Sequence, residues 1–250
     1  MKKQFQILAA TFITVAFISC SKEKIEAPAA NQPAEEVTAP NSPGGPIVIN
    51  PLSVGLLGRY EFTGNLKDTT KKLEDAWLEQ GIVMYTRDRK GKAYSALRFD
   101  GATEITAYDI PYTPANCSVS FWVKDEEIEG PAWNQMLGSS HAFNFDQNEN
   151  NFVCNFQKFY YGIVQSVQTT PIDGKWHHIV GTRDNTLMKL YIDGVLVGTT
   201  PSTPVDFGSW TLQNYRLGYG FGSHWKGSMD DLRFYKRVLS PSDVIALKNL

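Results

Sequence analysis

Asp125, Glu127 and Glu129 alternate along the chain and are the first residues whose spacing could do acid–base chemistry. Two nearby carboxylates can hydrolyse a glycosidic bond, one as acid and the other as base or nucleophile. This trio runs directly into Gly130-Pro131 and reads as the solvated edge of a loop, not the floor of a cleft. His177-His178 raises the question of a metal, but neighbours in a strand point to opposite faces and cannot share one ion. His141 and His224 fall in expected loops and are freer to touch a ligand. Cys117 and Cys154 both sit on the core-facing register of their expected strands. Outside the cytoplasm such a pair could form a disulfide, and two buried thiols are the preferred reading. No glycine-rich phosphate loop, zinc spacing or nucleophile elbow is present.

Aromatic rings supply the remaining chemistry. Sugar rings expose apolar C–H patches that stack on flat aromatic faces. The pool is Trp133, Tyr160, Tyr161, Trp210, Tyr219, Phe221 and Trp225. Of these, Trp133, Tyr160, Tyr161, Tyr219 and Phe221 lie near expected loops or sheet edges. With His141 and His224 they form the candidate ligand-binding set, each weighed against an ordinary place in the core. A formal net charge of −2 over 250 residues offers no electrostatic footprint for nucleic acid.

The elements that must position these residues are strands. Residues 174–199 read as strand, turn, strand, tighter turn, strand. Trp176, His178 and Val180 alternate with His177, Ile179 and Gly181, a period of two. Asp193-Gly194 is the pair that closes a two-residue hairpin, since both residues tolerate positive φ. Further strands are expected at 52–62, 82–85, 94–99, 104–108, 117–124, 133–137, 152–156, 160–167, 215–219 and 226–235. A short helical turn is expected within 68–80 and a polar turn at 146–151. Ser240-Pro241-Ser242-Asp243 is a good helix start, with Ser240 as cap and Pro241 first, ahead of a short helix over 244–250.

The run Trp176-His177-His178-Ile179-Val180-Gly181-Thr182-Arg183-Asp184, with Leu190-Tyr191-Ile192-Asp193-Gly194 after it, resembles the laminin-G-like, concanavalin A-like jelly-roll family of bacterial extracellular proteins. Leu57-Gly58-Arg59-Tyr60-Glu61-Phe62-Thr63-Gly64-Asn65 with Asp68 is similar to that family's opening strand. Residues 226–240, Lys226 to Ser240, resemble its closing strand and the turn into a helix. Residues 96–101 and 117–124 resemble two strands between them. The matches fall in order over about residues 52–250 and imply an all-β fold: a two-sheet antiparallel jelly-roll sandwich with a short C-terminal helix.

The resemblance also implies function. In that family a calcium ion often sits where the opening loop meets the closing strand, which here means Asn65, Asp68 and Asp230, in a structural role. The alternative is that Asp68 caps a turn and Asp230 pairs with an arginine such as Arg233. Trp122, Trp176 and Trp225 match buried framework positions. Enzymes of this fold carry an E-x-D-x-x-E strand, and no expected strand here has it. The expected function is therefore non-catalytic carbohydrate binding, with polysaccharide or another glycan as partner and no nucleic acid. A protein-contact module of a cell-surface assembly is the alternative, and a glycoside hydrolase comes third.

The first twenty residues read as a targeting segment: Lys2-Lys3, then an apolar stretch from Ile7 to Ile18, then Ser19-Cys20. A small residue before Cys20 resembles a bacterial lipoprotein processing site, so Cys20 is the expected lipid-bearing residue. The expected location is extracytoplasmic, on an outer membrane or cell surface. Residues 21–51 are rich in Ala, Pro, Glu, Asn and Ser with little to bury, the composition of a disordered tether. Such a tether could reach about 50–90 Å. Residues 52–250 form the expected folded domain.

Overall fold

A computed structural model describes residues 50–111, 116–126, 134–139, 142–148, 151–158, 162–169, 173–202, 212–220 and 222–250. The expected signal segment, Cys20 and the tether to residue 49 lie outside them. The first strands are β1 (Leu56–Tyr60), β2 (Trp77–Gln80), β3 (Met84–Thr86), β4 (Ala96–Asp100), β5 (Glu104–Pro111) and β6 (Cys117–Asp125). Next come β7 (Asn134–Gly138), β8 (Phe143–Asn148), β9 (Asn151–Lys158) and β10 (Gly162–Thr169). The central meander is β11 (Trp176–Arg183), β12 (Leu187–Ile192) and β13 (Val195–Pro201). β14 (Leu212–Leu217), β15 (Tyr219–Gly220), β16 (Ser223–His224), β17 (Lys226–Tyr235) and helix α1 (Pro241–Lys248) complete the chain.

Two large antiparallel sheets stack face to face as a sandwich. The first runs β13-β12-β11-β6-β17-β4-β3, with β1 also paired to β17. The second runs β10-β9-β8-β7-β14-β5-β2. Alternation decides which residues fill the space between them. Val119, Phe121 and Val123 of β6 face Phe143 and Phe145 of β8 and Leu217 of β14, all of them buried. The Phe121 and Phe145 rings meet edge to face at 4.9 Å, and Tyr215 meets Phe234 at 4.7 Å. Each such ring, fully buried, contributes on the order of 1.5–3 kcal/mol.

The Asp193-Gly194 turn forms as its residues dictate, with φ of 51° and 83°. Pro241 opens α1, and Ser240 caps it in a reciprocal box with Asp243. Val244 and Leu247 of α1 pack with Leu52, Val180, Tyr191, Tyr235 and Leu239 into a second small core. This helix therefore covers part of the first sheet's outer face.

Several expectations change, among them that for Asp125, which is no solvated loop residue but the buried end of β6, accepting from Trp225 Nε1 at 3.3 Å. Residues 77–80 form an edge strand and not part of a helical turn, because Leu78 packs against the core while its neighbours pair with β5. Asp146 lies inside strand β8 instead of a turn, because Phe143 and Phe145 alternate with it and carry β8 into the core. The first strand begins at Leu56, after a 3-10 turn over Pro51–Ser53 whose first amides are capped by Asn50.

Candidate functional site

Residues opposite each other in antiparallel strands share a face. Across the second sheet the register aligns Trp77, Thr106, Arg216, Gly138, Asn144 and Asn155 in one transverse row. All of them belong to the outer face, since Ile105, Leu217, Leu137, Phe145 and Cys154 alternate with them and point into the core. Between Thr106 and Asn155 this face is mostly polar, yet its two halves differ.

Toward β2 it is open. An open groove of about 350 Å³ is lined by Glu79 and Gln80 of β2, Glu104, Thr106 and Tyr108 of β5, and Asn214 and Arg216 of β14. The Tyr108 hydroxyl donates to Glu79. Arg216 Nε lies 3.3 Å from Glu104 Oε1, and Asn214 Oδ1 accepts the Asp109 amide at 3.2 Å. Trp77, 67% exposed, lies on the edge strand in register with Thr106, one of the groove's lining residues. With strands about 4.8 Å apart, Trp77 lies roughly 10 Å from Arg216. The Arg216 guanidinium lies over the Tyr219 ring, 5.6 Å from its centroid, and Tyr219 packs against His224 at 4.6 Å.

Toward β9 the residues of the same face are buried and tied to one another through their amides. Gln135 Nε2 donates to Asn144 Oδ1 at 2.7 Å and to Asp146 Oδ1 at 3.1 Å. Asn155 Nδ2 donates to Asp146 Oδ2 at 2.9 Å, and Asn144 Nδ2 is held by the carbonyls of Ser139 and Ala142. Burial pushes the Asp146 carboxyl up to about 7, against the opposing pull of Gln135 and Asn155. Gly138 and Gly220 make room for this network. A Cβ on either would come within 2.3 Å or 2.2 Å of the Gln135 amide. The β15–β16 hairpin thus rests on Gln135, and that seat holds Tyr219 and His224 beside the groove.

Of the candidate ligand residues, the structure brings Tyr219 and His224 together next to the groove. Trp133, His141, Tyr160, Tyr161, Phe221 and Trp210 lie outside the described residues. Trp225 is wholly buried against Phe99, whereas Trp122 and Trp176 are half-buried. The histidine pair splits between faces. His177 contacts Asp173 and Asp193, and His178 contacts Ser120. Burial holds His178 down at about 4. For His177, burial pulls downward, and the hydrogen bonds to Asp173 and Asp193 outweigh it and raise the ring. Cys117 and Cys154 are free thiols.

The calcium set is placed with other partners. Asn65 is tied to its own loop, accepting from the Lys67 amide and donating to the Thr63 carbonyl. Asp68 accepts the amides of Arg59, Thr70, Lys72 and Leu73 and the Thr70 hydroxyl. Asp230 is bound by Arg89, whose guanidinium also covers Trp122, while Arg233 grips Asp231 through two bonds of 2.9 Å. Asp230 thus pairs with Arg89 in place of Arg233. Among the described residues no group of three His, Cys, Asp or Glu is placed to hold a metal ion. As folded, this donor set does not fit calcium, which needs six to eight available oxygens.

Sequence reasoning missed Trp77, Glu79, Gln80, Glu104, Thr106, Asn214 and Arg216. A signal was there: Glu104, Thr106 and Tyr108 alternate with Ile105 and Ala107, and Asn214 and Arg216 alternate with Tyr215 and Leu217. That pattern marks an outer face without saying whether it is open.

The model of the concanavalin A-like lectin/glucanases superfamily matches residues 99–245, more than half of the chain. The chain belongs to this superfamily. Among solved structures, the receptor binding domain of botulinum neurotoxin C/D mosaic serotype is similar with a TM-score of 0.65 at 16% identity. That match covers 78% of this chain and 51% of the toxin domain. Domain 4 of AbnA, a GH43 extracellular arabinanase from Geobacillus stearothermophilus in complex with arabinotriose, gives 0.62 at 23% identity. It covers 77% of this chain and 98% of that domain. The binding domain of botulinum neurotoxin DC in complex with SialylT gives 0.64 at 14%, covering 79% and 52%. The chain thus spans about half the length of the toxin domains. At such identities the likeness is one of fold. Among curated proteins none matches the chain.

Proposed function

We propose that this superfamily member is a non-catalytic carbohydrate-binding protein, displayed outside the cytoplasm by a lipid anchor at Cys20. The observation that carries the reading is the groove on the second sheet. Its floor carries hydroxyl, amide and carboxylate groups, the exposed Trp77 shares the row of Thr106 and Arg216, and Tyr219 lies under the Arg216 guanidinium. Flat apolar faces flanking a few polar groups suit a sugar, whose rings are apolar above and hydroxylated at the rim. Similar folds carrying arabinotriose and SialylT support the class of ligand.

One observation favours a second reading. Glu79 and Glu104 line the same groove, as a glycoside hydrolase would require. Each is already engaged, by Tyr108 and by Arg216, which favours binding over turnover.

The test places the purified chain on a panel of immobilised polysaccharides and reads both retained protein and new reducing ends. Retention without new ends is expected. New ends abolished by Glu104→Gln would establish the hydrolase instead, and no retention on any glycan would favour a protein-contact role. In cells, Cys20→Ser is expected to move the protein from the membrane to the soluble fraction.

A further inference from the structure

We infer that the groove selects neutral, hydroxyl-rich glycans and discriminates against those bearing carboxylate or sulfate groups. The inference rests on the carbohydrate reading above and concerns the ligand class of that same site. Its observation is the balance of charge in the lining. Two carboxylates, Glu79 and Glu104, face one guanidinium, Arg216.

Arg216 is not presented as an anion receptor. A site built for a carboxylate or sulfate offers the guanidinium fork for paired hydrogen bonds. Here Arg216 already pairs with Glu104, Nε lying 3.3 Å from its carboxylate, and the guanidinium sits over the Tyr219 ring. Glu79 is different. Its partner is the neutral Tyr108 hydroxyl, and among the described residues it forms no ion pair.

Ionised carboxylates accept hydrogen bonds and cannot donate them. Sugar hydroxyls donate, and an O–H donated to an anionic oxygen is stronger than its neutral counterpart. The acidic side of the groove therefore rewards hydroxyl pairs and repels ligand anions. Gln80, Thr106 and Asn214 add neutral donors and acceptors, and Trp77 adds a stacking face that needs no charge. From Glu104 to Tyr108 the lining extends four residues along β5, roughly 13 Å, so the ligand is longer than a single sugar ring.

The experiment is affinity electrophoresis of the full chain through gels holding neutral polymers (arabinan, xylan, mannan, mixed-linkage glucan) or anionic ones (polygalacturonate, alginate, chondroitin sulfate), at 20 mM and at 500 mM NaCl. The wild type is compared with Glu79→Gln, a surface change whose folding is checked by thermal melting. The expected result is retention by at least one neutral polymer, little changed by salt, and about tenfold weaker retention by every anionic one. Glu79→Gln should weaken the neutral interaction several-fold and narrow that gap. Strongest retention by an anionic polymer, lost at high salt, would overturn the inference while leaving carbohydrate binding in place. A Glu79→Gln variant with the wild-type preference would also overturn it. Retention by none would overturn both.

Discussion

Trp77 is an unusual place for a large aromatic, since an exposed tryptophan on an edge strand contributes little to folding. Its value lies in what it faces. Trp77→Ala is expected to leave stability within about 0.5 kcal/mol, because little packing is lost. It should weaken glycan binding about tenfold, in line with the worth of one aromatic contact, and isothermal titration beside thermal melting separates the two effects. Asp146 behaves in the opposite way, being buried and structural. Its folded value, about 7, lies above the unfolded one. Its contribution is therefore complete below the ordinary carboxylate range and is lost as pH rises through 7. Between those limits wild-type stability should fall by up to about 1.4 kcal/mol per pH unit from this group. Asp146→Asn removes the titration and keeps the shape, and Asn155 Oδ1, which has no partner among the described residues, can accept from the new amide once Asn155 turns over. Urea unfolding from pH 4 to 8 should show the variant gaining on the wild type up to pH 7 and then running parallel to it.

Each element is specified mainly by local chemistry. Ser240 accepts the Asp243 amide while the Asp243 carboxylate accepts the Ser240 amide, and Arg237 holds the same carboxylate at 2.7 Å. Ser240→Ala should cost about 1 kcal/mol, seen as a melting temperature lower by about 2–4 °C. The helix and the Asp193-Gly194 hairpin were legible because capping residues and a turn pair act within a few positions. Strand β2 was not, since four residues with a polar approach carry no distinctive period. Their state is decided by pairing with β5 and by the place of Leu78 in the core. β8 misled for a related reason. Asn144 and Asp146 look like turn residues, and only a network that satisfies their side chains lets them stand buried in a strand.

In the whole molecule, the outer face of one sheet is partly covered by α1 and by the Arg89 contacts, and the other sheet keeps an open groove. The donors already engaging Asp68 and Asp230 give a clear expectation for calcium. Chelation with EDTA should leave the melting temperature unchanged, and added calcium should not raise it, as differential scanning calorimetry would show. A rise of several degrees on adding calcium would mean that the ion displaces Arg89 or the Asp68 amides.

The sequence by itself determined the sandwich, the central meander, the capped terminal helix and the splitting of His177 from His178. The meander, the helix cap and the split histidines follow from period-two alternation and short-range turn chemistry, and the sandwich is what the family resemblance implied. It also marked Tyr219 and His224. The tertiary structure alone decided that Trp77, Thr106 and Arg216, from three strands distant in sequence, share one row, with Glu104 on the same face. It decided too that the β9 half of that face is a buried amide network while the β2 half lies open. Alternation says which side chains point away from the core. Strand order, register and the seat of a two-residue hairpin on Gln135 say what, if anything, lies over them.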